Sequence, residues 1–386
     1  MKLKATRGET VTIVIVIDTL QLNNGTTMTA YRFANMLRTH GHTVRFVSTG
    51  SAEADKFTVP ERYCPVVTPI ARKQGIIFAR SDKNVFRRAF EGADVVHLMM
   101  PFPFEHNAMK VAREMGIPCS TAFHVQPENV TYITHTDAIP RMNEAVYKFF
   151  YQTFYKDFHH IHCPSKFIAQ QLEKNGYDAK LYVISNGVDS SFRPPVEKKS
   201  VHDDLFRILM IGRLSPEKRQ NILIKAVTHS RYKDKIQLYL AGKGPREEAL
   251  RIMGKALPHP PVIGFYSQDR LIELIHSCDL YVHASVVEIE AISCMESFAC
   301  GLVPVICDAP QSATRQFALD ERSLFKPDDP KALAAKIDYW IEHPEERAEM
   351  SKKYAQEGDE YRVERSVEKA EEMFREVIED HKKGIL

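Results

Sequence analysis

Val11-Thr-Ile-Val-Ile-Val-Ile17 is the stretch of sequence that decides the fold. A run of β-branched residues with almost no polar alternation predicts a strand that is buried on both faces, as in a parallel sheet. A polar loop at 23–27 (Asn-Asn-Gly-Thr-Thr) and an amphipathic stretch at 28–39 follow, and residues 44–48 predict the next strand. The region therefore predicts a β-loop-α-β unit.

The same alternation continues along the chain. Further strands are predicted at 94–98, 119–123, 160–163 and 180–184, with helices near 105–115, 141–158 and 166–175. A polar, proline-containing stretch at 192–204 interrupts the pattern and predicts a linker. Strands then resume at 207–211, 236–241, 261–263, 280–283 and 303–306, before a charged helical tail at 329–383. This α/β pattern predicts two Rossmann-like doubly wound domains, residues 1–195 and 196–365, with ligands in the cleft between them.

Composition excludes several classes of protein. The chain has 386 residues, 44% of them hydrophobic and 26% charged, which is typical of folded domains and not of disordered or fibrous chains. The longest apolar run is far shorter than the roughly 20 residues that cross a bilayer. No signal-peptide pattern is found, so we expect a protein that is not exported. Seven scattered cysteines without a CxxC pair favour reduced thiols over a zinc site or disulfide framework.

The net charge of +2 conceals two halves of opposite sign. Residues 1–195 hold 23 Lys and Arg against 17 Asp and Glu, whereas residues 196–386 hold 29 against 33. A basic first half indicates an anionic partner, such as a membrane surface, a nucleic acid or a phosphorylated substrate.

Three loops of the second half follow predicted strands, where a doubly wound sheet binds ligands. The first loop is Gly212-Arg-Leu-Ser-Pro-Glu-Lys218, which places two cations, Arg213 and Lys218, at a helix start. Such a pair suits a diphosphate, although a solvated capping loop is an equal alternative for this loop alone. The second, Ala241-Gly-Lys-Gly-Pro245, allows close approach through Gly242 and Gly244, but strand-to-helix turns commonly contain glycine.

The third loop is Glu288-Ile-Glu-Ala-Ile-Ser-Cys-Met-Glu296. A helix beginning near Ala291 would direct backbone N–H groups toward a ligand, and carboxylates there can accept hydrogen bonds from sugar hydroxyls. A surface helix with an acidic first turn is the alternative, and spacing alone favours it.

Together, Gly-Arg-x-Ser-x-x-Lys, Ala-Gly-x-Gly and Glu-x7-Glu, in this order, resemble the retaining family-4 glycosyltransferases of the GT-B fold. The resemblance covers nearly the whole chain. Gly25 lies in the first βα loop, where the family has a glycine-rich turn, and His124 follows a strand where the family has its active-site histidine. Asn186-Gly-Val-Asp189 matches the family's turn before the linker.

The resemblance implies a role for each matched residue. Arg213 and Lys218 would hold the diphosphate of a nucleotide sugar, Glu296 the ribose, and Glu288 the donor sugar, with His124 beside the reacting carbon. The catalytic candidates are therefore His124 and Glu288. The remaining donor-binding candidates are Gly25, Gly242, Gly244, Glu290, Ala291 and Ile292. Two cations and a helix start can stabilise the leaving diphosphate, and the sequence contains no Asp-x-Asp clamp, so neither a metal nor any other cofactor is expected.

The chain departs from the family pattern at two places. Ile289-Glu-Ala291 replaces the usual Gly-Phe-Gly, which adds the carboxylate of Glu290, and Asn24-Gly25 replaces a Gly-Gly pair. Both departures affect the contacts with the donor sugar. Together with residues 124–129 (His-Val-Gln-Pro-Glu-Asn) and 317–320 (Phe-Ala-Leu-Asp), the first is similar to a bacterial subgroup that includes diacylglycerol α-glucosyltransferases.

The acceptor is expected on the basic first domain. Residues 69–90 combine cations with Ile77, Phe78, Phe86 and Phe90, a composition suited to a peripheral anchor on anionic lipid. A solvated loop or a polyphosphate site is an equal alternative. The cationic candidates are Arg72, Lys73, Arg80, Lys83, Arg87 and Arg88. The aromatic stretch 147–158 is interpreted mainly as core, and His159, His160 and His162 as packed histidines, not as a metal site.

The sequence thus predicts a retaining hexosyltransferase that moves glucose or galactose from a UDP-sugar to a lipid hydroxyl, most simply diacylglycerol. It would be cytoplasmic, peripheral on the inner face of the cell membrane, and would not bind nucleic acid. Alternatives are a ceramide, polysaccharide or soluble acceptor, and a nucleotide-sugar-binding protein without turnover. An NAD-type oxidoreductase is disfavoured because no Gly-x-Gly-x-x-Gly opens a βαβ unit. The final helix, residues 366–386, is expected to return to the first domain.

Overall fold

The structure is a computed structural model that describes residues 10–20, 25–65, 68–69, 72, 77–134, 136, 138–196 and 203–385. The chain divides into two compact units. The first unit comprises Met1–Thr131, His135–Ser185 and Ser366–Leu386, and the second comprises Tyr132–Thr134 and Asn186–Arg365. The switch between them at 185–186 precedes the linker predicted at 192–204, of which residues 197–202 lie outside the described residues.

The first unit is built on a seven-stranded parallel sheet with the strand order β3-β2-β1-β4-β5-β6-β7. The first strand is buried along seven of its eight residues, because a parallel sheet is covered on both faces. The strands are β1 (Thr12–Thr19), β2 (Thr43–Thr49), β3 (Lys56–Thr58), β4 (Val95–Leu98), β5 (Cys119–Ala122), β6 (His160–Cys163) and β7 (Lys180–Val183).

Helices connect these strands and pack on the sheet. Their starts follow local chemistry: the Asp82 side chain accepts hydrogen bonds from the N–H groups of Asn84 and Val85, and Ser165 caps Ile168 in the same way. The helices are α1 (Gly25–Thr39), α2 (Lys83–Phe90), α3 (Pro103–Glu114), α4 (Pro127–Ile133), α5 (Met142–Thr153) and α6 (Lys166–Lys174).

The second unit contains a six-stranded parallel sheet with the order β10-β9-β8-β11-β13-β15, and a small separate pair, β12 and β14. Its strands are β8 (Phe206–Ile211), β9 (Ile236–Ala241), β10 (Val262–Gly264), β11 (Leu280–His283), β12 (Val287–Glu288), β13 (Pro304–Cys307), β14 (Gln311–Ser312) and β15 (Leu324–Phe325). Its helices are α7 (Gln220–His229), α8 (Glu247–Gly254), α9 (Gln268–Ser277), α10 (Ile292–Ala299), α11 (Pro330–Glu342) and α12 (Pro344–Gly358).

Two parallel, doubly wound sheets confirm the predicted α/β class. The short strands β3, β12, β14 and β15 and the helices α2 and α4 were not predicted, since two to eight residues carry little periodicity. The predicted helix 141–158 is wrong at its end: α5 stops at Thr153, and a 3₁₀ turn at Tyr155–Asp157 follows the buried Phe154.

The charged tail at 329–383 is helical, as predicted, and part of it is buried. It forms three helices, α11, α12 and α13 (Val363–Lys382), the second beginning at Pro344. Helix α13 buries one side, namely Val363, Val367, Ala370, Met373, Phe374 and Val377. Residues of α13 from Ser366 onward belong to the first unit, where Glu371 contacts His40 and His42 and Asp380 contacts His160. An apolar stripe under a charged surface therefore makes this helix part of the core.

Candidate active site

The predicted donor loops lie at the carboxyl ends of neighbouring strands in the second unit. The loop with Arg213 and Lys218 follows β8, the loop with Gly242 and Gly244 follows β9, and the loop with Glu288 follows β11. Because β8 lies between β9 and β11, parallel strands bring the three loops to one edge of the sheet.

Close backbone packing accounts for the glycines of the second loop. A Cβ on Gly242 would lie 2.0 Å from the Gly212 carbonyl oxygen, and one on Gly244 would lie 2.4 Å from that of Leu214. The Leu214 N–H also donates to the Lys243 carbonyl at 2.9 Å. The two glycines therefore hold the loop that carries Arg213 in place, and direct contact of either with a donor stays a prediction.

Lys218 and Glu288 form an ion pair at the centre of this edge. The same carboxylate oxygen lies 3.1 Å from Nε2 of His283, the last residue of β11, whose Nδ1 lies 3.1 Å from the Tyr281 hydroxyl. Burial raises the pKa of Glu288, but the charge of Lys218 and the contact with His283 outweigh it and lower that pKa to about 2. Glu288 is thus a carboxylate at neutral pH, able to accept hydrogen bonds from hydroxyls.

Arg213 contacts a second carboxylate in its own loop. Its guanidinium donates to Glu217 at 2.8 Å, and the Ser215 hydroxyl donates to the same oxygen. Burial raises the pKa of Glu217, but this hydrogen bond and the charge of Arg213 hold it below its ordinary value. Both predicted phosphate-binding cations are therefore oriented by a neighbouring carboxylate.

Glu290, the carboxylate that departs from the family pattern, is 2% exposed and faces Asn186. One of its oxygens accepts from the backbone N–H of Asn186 at 2.9 Å and from its side-chain amide at 2.7 Å. The structure therefore connects Glu290 to the Asn-Gly-Val-Asp turn, a contact that the sequence did not reveal. Its predicted contact with a donor remains a prediction.

Helix α10 begins at Ile292, two residues after Glu290. Ala291 lies before its first turn with φ of 68°, a left-handed conformation that glycine adopts without strain and that alanine adopts at a cost of about 1–2 kcal/mol. Ser293 in the first turn contacts the Tyr281 hydroxyl and the Ile211 carbonyl, which fixes the helix start to β11 and β8. Ile292 is half-buried, and Glu296, one turn further along, is 7% exposed.

The first unit carries the other two candidates. Gly25 is exposed at the start of α1, after β1, and its carbonyl accepts from the Thr29 hydroxyl at 2.9 Å. The preceding Asn24 lies outside the described residues. His124 follows β5 at the carboxyl edge of the sheet and is 8% exposed. Burial and the nearby His162 and His97 lower its pKa well below the ordinary value, so the ring is neutral.

Most of the large apolar side chains that the structure describes in the basic segment, residues 69–90, are buried, and Phe78 is half-buried. Ile77, Phe86 and Phe90 are buried, with the two phenylalanines one turn apart on α2. The cations Arg72, Arg80, Lys83, Arg87 and Arg88 are exposed, whereas Lys73 lies outside the described residues. Three of them are partly neutralised: Arg72 pairs with Glu61 at 2.7 Å, and Lys83 and Arg87 pair with Glu114.

Among the described residues, no helix is long and apolar enough to span a bilayer.

The aromatic stretch 147–158 is mostly core, with Tyr151 half-buried. Tyr147, Phe150, Phe154, Tyr155 and Phe158 are buried, as predicted, but Phe149 is 61% exposed.

The neighbouring histidines also acquire partners that sequence analysis had not assigned. His162 donates to the Ile184 carbonyl at 2.7 Å, and His160 lies 3.1 Å from Asp380 and groups with Glu376. Because Lys180 already pairs with Glu376 and burial lowers the pKa of His160, we interpret the cluster as a contact with α13 that combines this ion pair with a hydrogen bond from His160 to Asp380.

Sequence reasoning missed His283, Glu217 and Tyr281, all within contact distance of a predicted site residue or its partner. His283 was detectable, since it ends a predicted strand at the edge where the ligand loops lie. The pairing of Glu217 with Arg213 had a weaker signal, the four-residue spacing of opposite charges.

Two family matches cover most of the chain. Residues 23–192 match the family described as Glycosyltransferase Family 4, and residues 193–357 match Glycosyl transferases group 1. The α-monoglucosyldiacylglycerol synthase of Streptococcus pneumoniae is 24% identical over 253 residues, which are 59% of this chain and 57% of that protein. The chain thus matches little more than half the length of this relative.

Solved structures share the architecture. A glycosyltransferase from Rickettsia africae superposes with a TM-score of 0.74 at 17% identity, covering 96% of this chain and 99% of that structure. The catalytic domain of cholesterol-α-glucosyltransferase from Helicobacter pylori is 49% identical, covering 40% of this chain and 99% of that domain, with a TM-score of 0.38. With two parallel-sheet units and both halves matched by glycosyltransferase families, the chain belongs to the family-4 glycosyltransferases of the GT-B fold.

Proposed function

We propose that this protein is a retaining glycosyltransferase that moves a hexose, glucose or galactose, from a UDP-sugar to a lipid hydroxyl, with diacylglycerol as the first candidate. The observation that carries the proposal is the ion pair of Lys218 with Glu288, supported by His283, at the ligand-binding edge of the second sheet. The name of the Streptococcus pneumoniae relative supports a glucosyl donor and a diacylglycerol-type acceptor.

The charges of this edge suit departure of a nucleoside diphosphate. The acceptor hydroxyl would form a new C–O bond at the anomeric carbon while the bond from that carbon to the diphosphate oxygen breaks. The acceptor approaches the face that the diphosphate leaves, and the hydroxyl proton passes to a diphosphate oxygen. Arg213 and Lys218 offer five and three N–H donors, more than one carboxylate oxygen uses, so each can stabilise the developing charge. We propose that no metal is required.

The remaining candidates have complementary roles. Glu288, a carboxylate at neutral pH, accepts hydrogen bonds from the donor sugar but cannot serve as a proton donor. Glu296, one turn into α10, would bind the ribose hydroxyls, and Gly25, Ala291 and Ile292 would offer backbone near the donor. His124 would lie beside the reacting carbon as a neutral imidazole.

A donor screen tests the proposal. The protein is incubated with UDP-glucose, UDP-galactose and other nucleotide sugars, released nucleotide is quantified, and the product is identified by mass. Lys218→Ala and Glu288→Gln are expected to lower turnover at least 100-fold. The matched controls are Lys225→Ala and Glu248→Gln, which change exposed residues on α7 and α8. Full activity of both site variants would refute the site, and donor binding without turnover would favour the binding-protein alternative.

Acceptor choice and metal dependence are separate arms of the screen. Diacylglycerol is compared with ceramide, a soluble polysaccharide and cholesterol, the last because it is named for the Helicobacter pylori enzyme. We expect the diacylglycerol product, at a rate unchanged by EDTA. A product only with a soluble acceptor would overturn the lipid assignment, and a rate abolished by EDTA and restored by Mg²⁺ would overturn metal independence.

We also propose that the protein binds the inner face of the cell membrane through its first unit, without contact to nucleic acid. Phe149 on α5 is exposed, and the exposed cations Arg141, Lys148 and Lys156 lie within eight residues of it in the sequence. It is an exposed apolar side chain of the kind not found among the described residues of the basic segment. An exposed aromatic residue in a basic stretch is suited to an anionic lipid surface.

Co-sedimentation with vesicles tests this surface. Binding is expected only with anionic lipid and to weaken as salt is raised. Phe149→Ser should lower affinity about tenfold, since burying a phenylalanine contributes about 1.5–3 kcal/mol. Ile252→Ser, at a residue 58% exposed on α8, is the matched control and should leave binding unchanged. No binding to anionic vesicles at low salt, or equal loss in both variants, would refute the assignment.

A further inference from the structure

Three histidines meet beneath the carboxyl edge of the first sheet. His97 on β4 lies opposite Ser120 on β5, and Ala122 on β5 lies opposite His162 on β6. Because side chains alternate along a strand, Ser120 and Ala122 lie on the same face of the sheet. Their neighbours across the sheet, His97 and His162, lie on that face too. His124 follows two residues after Ala122 and contacts the same group of rings.

His162 is the centre of this group. Its ring meets that of His124 edge-on, at 5.4 Å and 81°, and stacks near-parallel with those of His97 and Phe33, each at 6.0 Å. Its Nε2 lies 2.7 Å from the Ile184 carbonyl, which can only accept, so the proton is on Nε2. Stacking and this hydrogen bond together hold the ring of His162 in one orientation.

His97 extends the stack toward the last helix. Its Nδ1 lies 2.9 Å from the Ser120 hydroxyl, and the ring of Phe374 on α13 packs against it edge-on at 5.4 Å and 74°. A continuous path of ring contacts therefore leads from α13 through His97 and His162 to His124.

His124 itself ends this path with one nitrogen unused. Among the residues that the structure describes, its buried Nε2 has no hydrogen-bond partner. Buried polar atoms are paired in the large majority of cases, so an exception at a ligand-binding edge indicates a group that a ligand pairs. The ionisable groups acting on His124 are His162 and His97, whose own pKa values burial lowers to about 4 and about 3.

We propose that His162 and His97 are positioning residues, completed by Phe374, that hold the ring of His124 in one orientation with Nε2 directed to a ligand hydroxyl. The catalytic role of His124 rests on the proposed function, whereas its orientation by the stack is a property of the protein without ligand. Both supporting histidines are buried, and in this proposal they act only through His124.

The test compares a variant that keeps the ring with one that removes it. His162→Phe retains the stack and loses the hydrogen bond to Ile184, whereas His162→Ala loses both. The imidazole resonances of His124 are followed by NMR between pH 5 and 8 in the ligand-free protein. We expect no titration in the wild type or in His162→Phe. In His162→Ala, the space left by the ring lets water reach His124 and the ring move, which relieves the burial that lowers its pKa, so His124 should titrate near the ordinary value of about 6.5.

Kinetics provide the second readout. With transfer measured over a range of donor concentrations, His162→Ala should lower kcat about 10- to 100-fold, the effect expected of a misplaced catalytic group, with little change in the donor KM. It should also lose activity below about pH 6.5, where the wild type does not. The kcat of His162→Phe should stay within about threefold of the wild-type value and, like the wild type, should not fall below about pH 6.5. His159→Ala, at an exposed neighbour, is the control.

The outcomes separate the two proposals. If His124 does not titrate in folded His162→Ala, the positioning proposal is wrong, even if transfer activity is present. If His124 does titrate but no donor is turned over, the proposed function fails and the positioning stands. If circular dichroism shows that His162→Ala does not fold, His97→Ala and His97→Phe are compared in the same way, since His97 is the next ring of the stack. The absence of His124 titration in folded His97→Ala would equally refute the positioning proposal.

Discussion

Replacing Lys218 with alanine is expected to lower the free energy of unfolding by about 3 kcal/mol at pH 7. The magnitude follows from Glu288, whose pKa lies at about 2 instead of its ordinary 4.5 despite burial. A difference of this size corresponds to about 3 kcal/mol in favour of the folded carboxylate. The charge of Lys218 is the largest of the influences that lower this pKa. Both side chains are largely buried, at 20% and 12% exposure, so solvent screens the pair little.

The pH dependence gives the sign of the effect. In the wild type the folded pKa is lowered, so this stabilisation is complete above about pH 4.5 and is lost as the pH falls toward 2. Without Lys218, burial is the largest remaining influence and only His283 opposes it, so we expect the pKa of Glu288 to rise above its ordinary value. The variant then gains stability as the pH falls from 7 to 5, and the difference from wild type narrows.

Urea unfolding at pH 7 and pH 5 measures both effects. Lys225→Ala is the control and should match wild type, and Lys218→Ala/Glu288→Gln should recover part of the loss because no unpaired buried charge remains. A Lys218→Ala protein within about 1 kcal/mol of wild type at pH 7, or a difference independent of pH, would refute the reasoning.

Three further predictions concern stability. Glu290→Ala removes two hydrogen bonds to Asn186 and should lower the free energy of unfolding in urea by about 3 kcal/mol. Glu290→Gln should lower it by about half as much, and equal losses in the two variants would contradict a charge-assisted contact. Gly244→Ala brings a Cβ within 2.4 Å of the Leu214 carbonyl oxygen. It should lower the stability measured by thermal unfolding by about 1–3 kcal/mol and raise the KM for the donor. Wild-type values of both quantities would show that the loops are not tightly packed. Burial raises the pKa of Asp18 to about 6, although a hydrogen bond with the buried Glu105 opposes this rise. The stability that protonation of Asp18 contributes is therefore lost as the pH rises from about 4 to 6. Asp18→Asn should be more stable than wild type at about pH 7 but not at about pH 4 in urea unfolding, and equal stability at about pH 7 would refute the buried charge.

Most of the site residues could be predicted from the sequence because they directly follow predicted strands. Arg213, Lys218 and Glu288 each follow a buried β-branched or apolar strand, and parallel topology then requires them to share one edge. The partner of each side chain was not predictable. Glu288 and Glu290 are two residues apart in the sequence, yet one pairs with Lys218 and the other with Asn186. That choice depends on where Asn186, about a hundred residues away, is placed by the fold.

The surface was predicted less well than the core. Phe86 and Phe90 looked like an anchor when residues 69–90 were considered by composition, but a four-residue spacing places both on one side of a helix, and the structure buries them. Phe149 has the opposite outcome within a stretch interpreted as core. Composition over a segment does not distinguish the faces of a helix, whereas periodicity does once the helix bounds are known.

The division of the first unit between both ends of the chain has a consequence for its synthesis. Val367, Phe374 and Val377 on α13 are buried, and residues from Ser366 onward belong to the first unit. Residues emerging early from the ribosome therefore cannot complete their core until the whole second unit has been translated. The second unit, apart from Tyr132–Thr134, is contiguous and needs no later segment. Folding during translation should consequently finish in reverse order, with the later unit able to close before the earlier one.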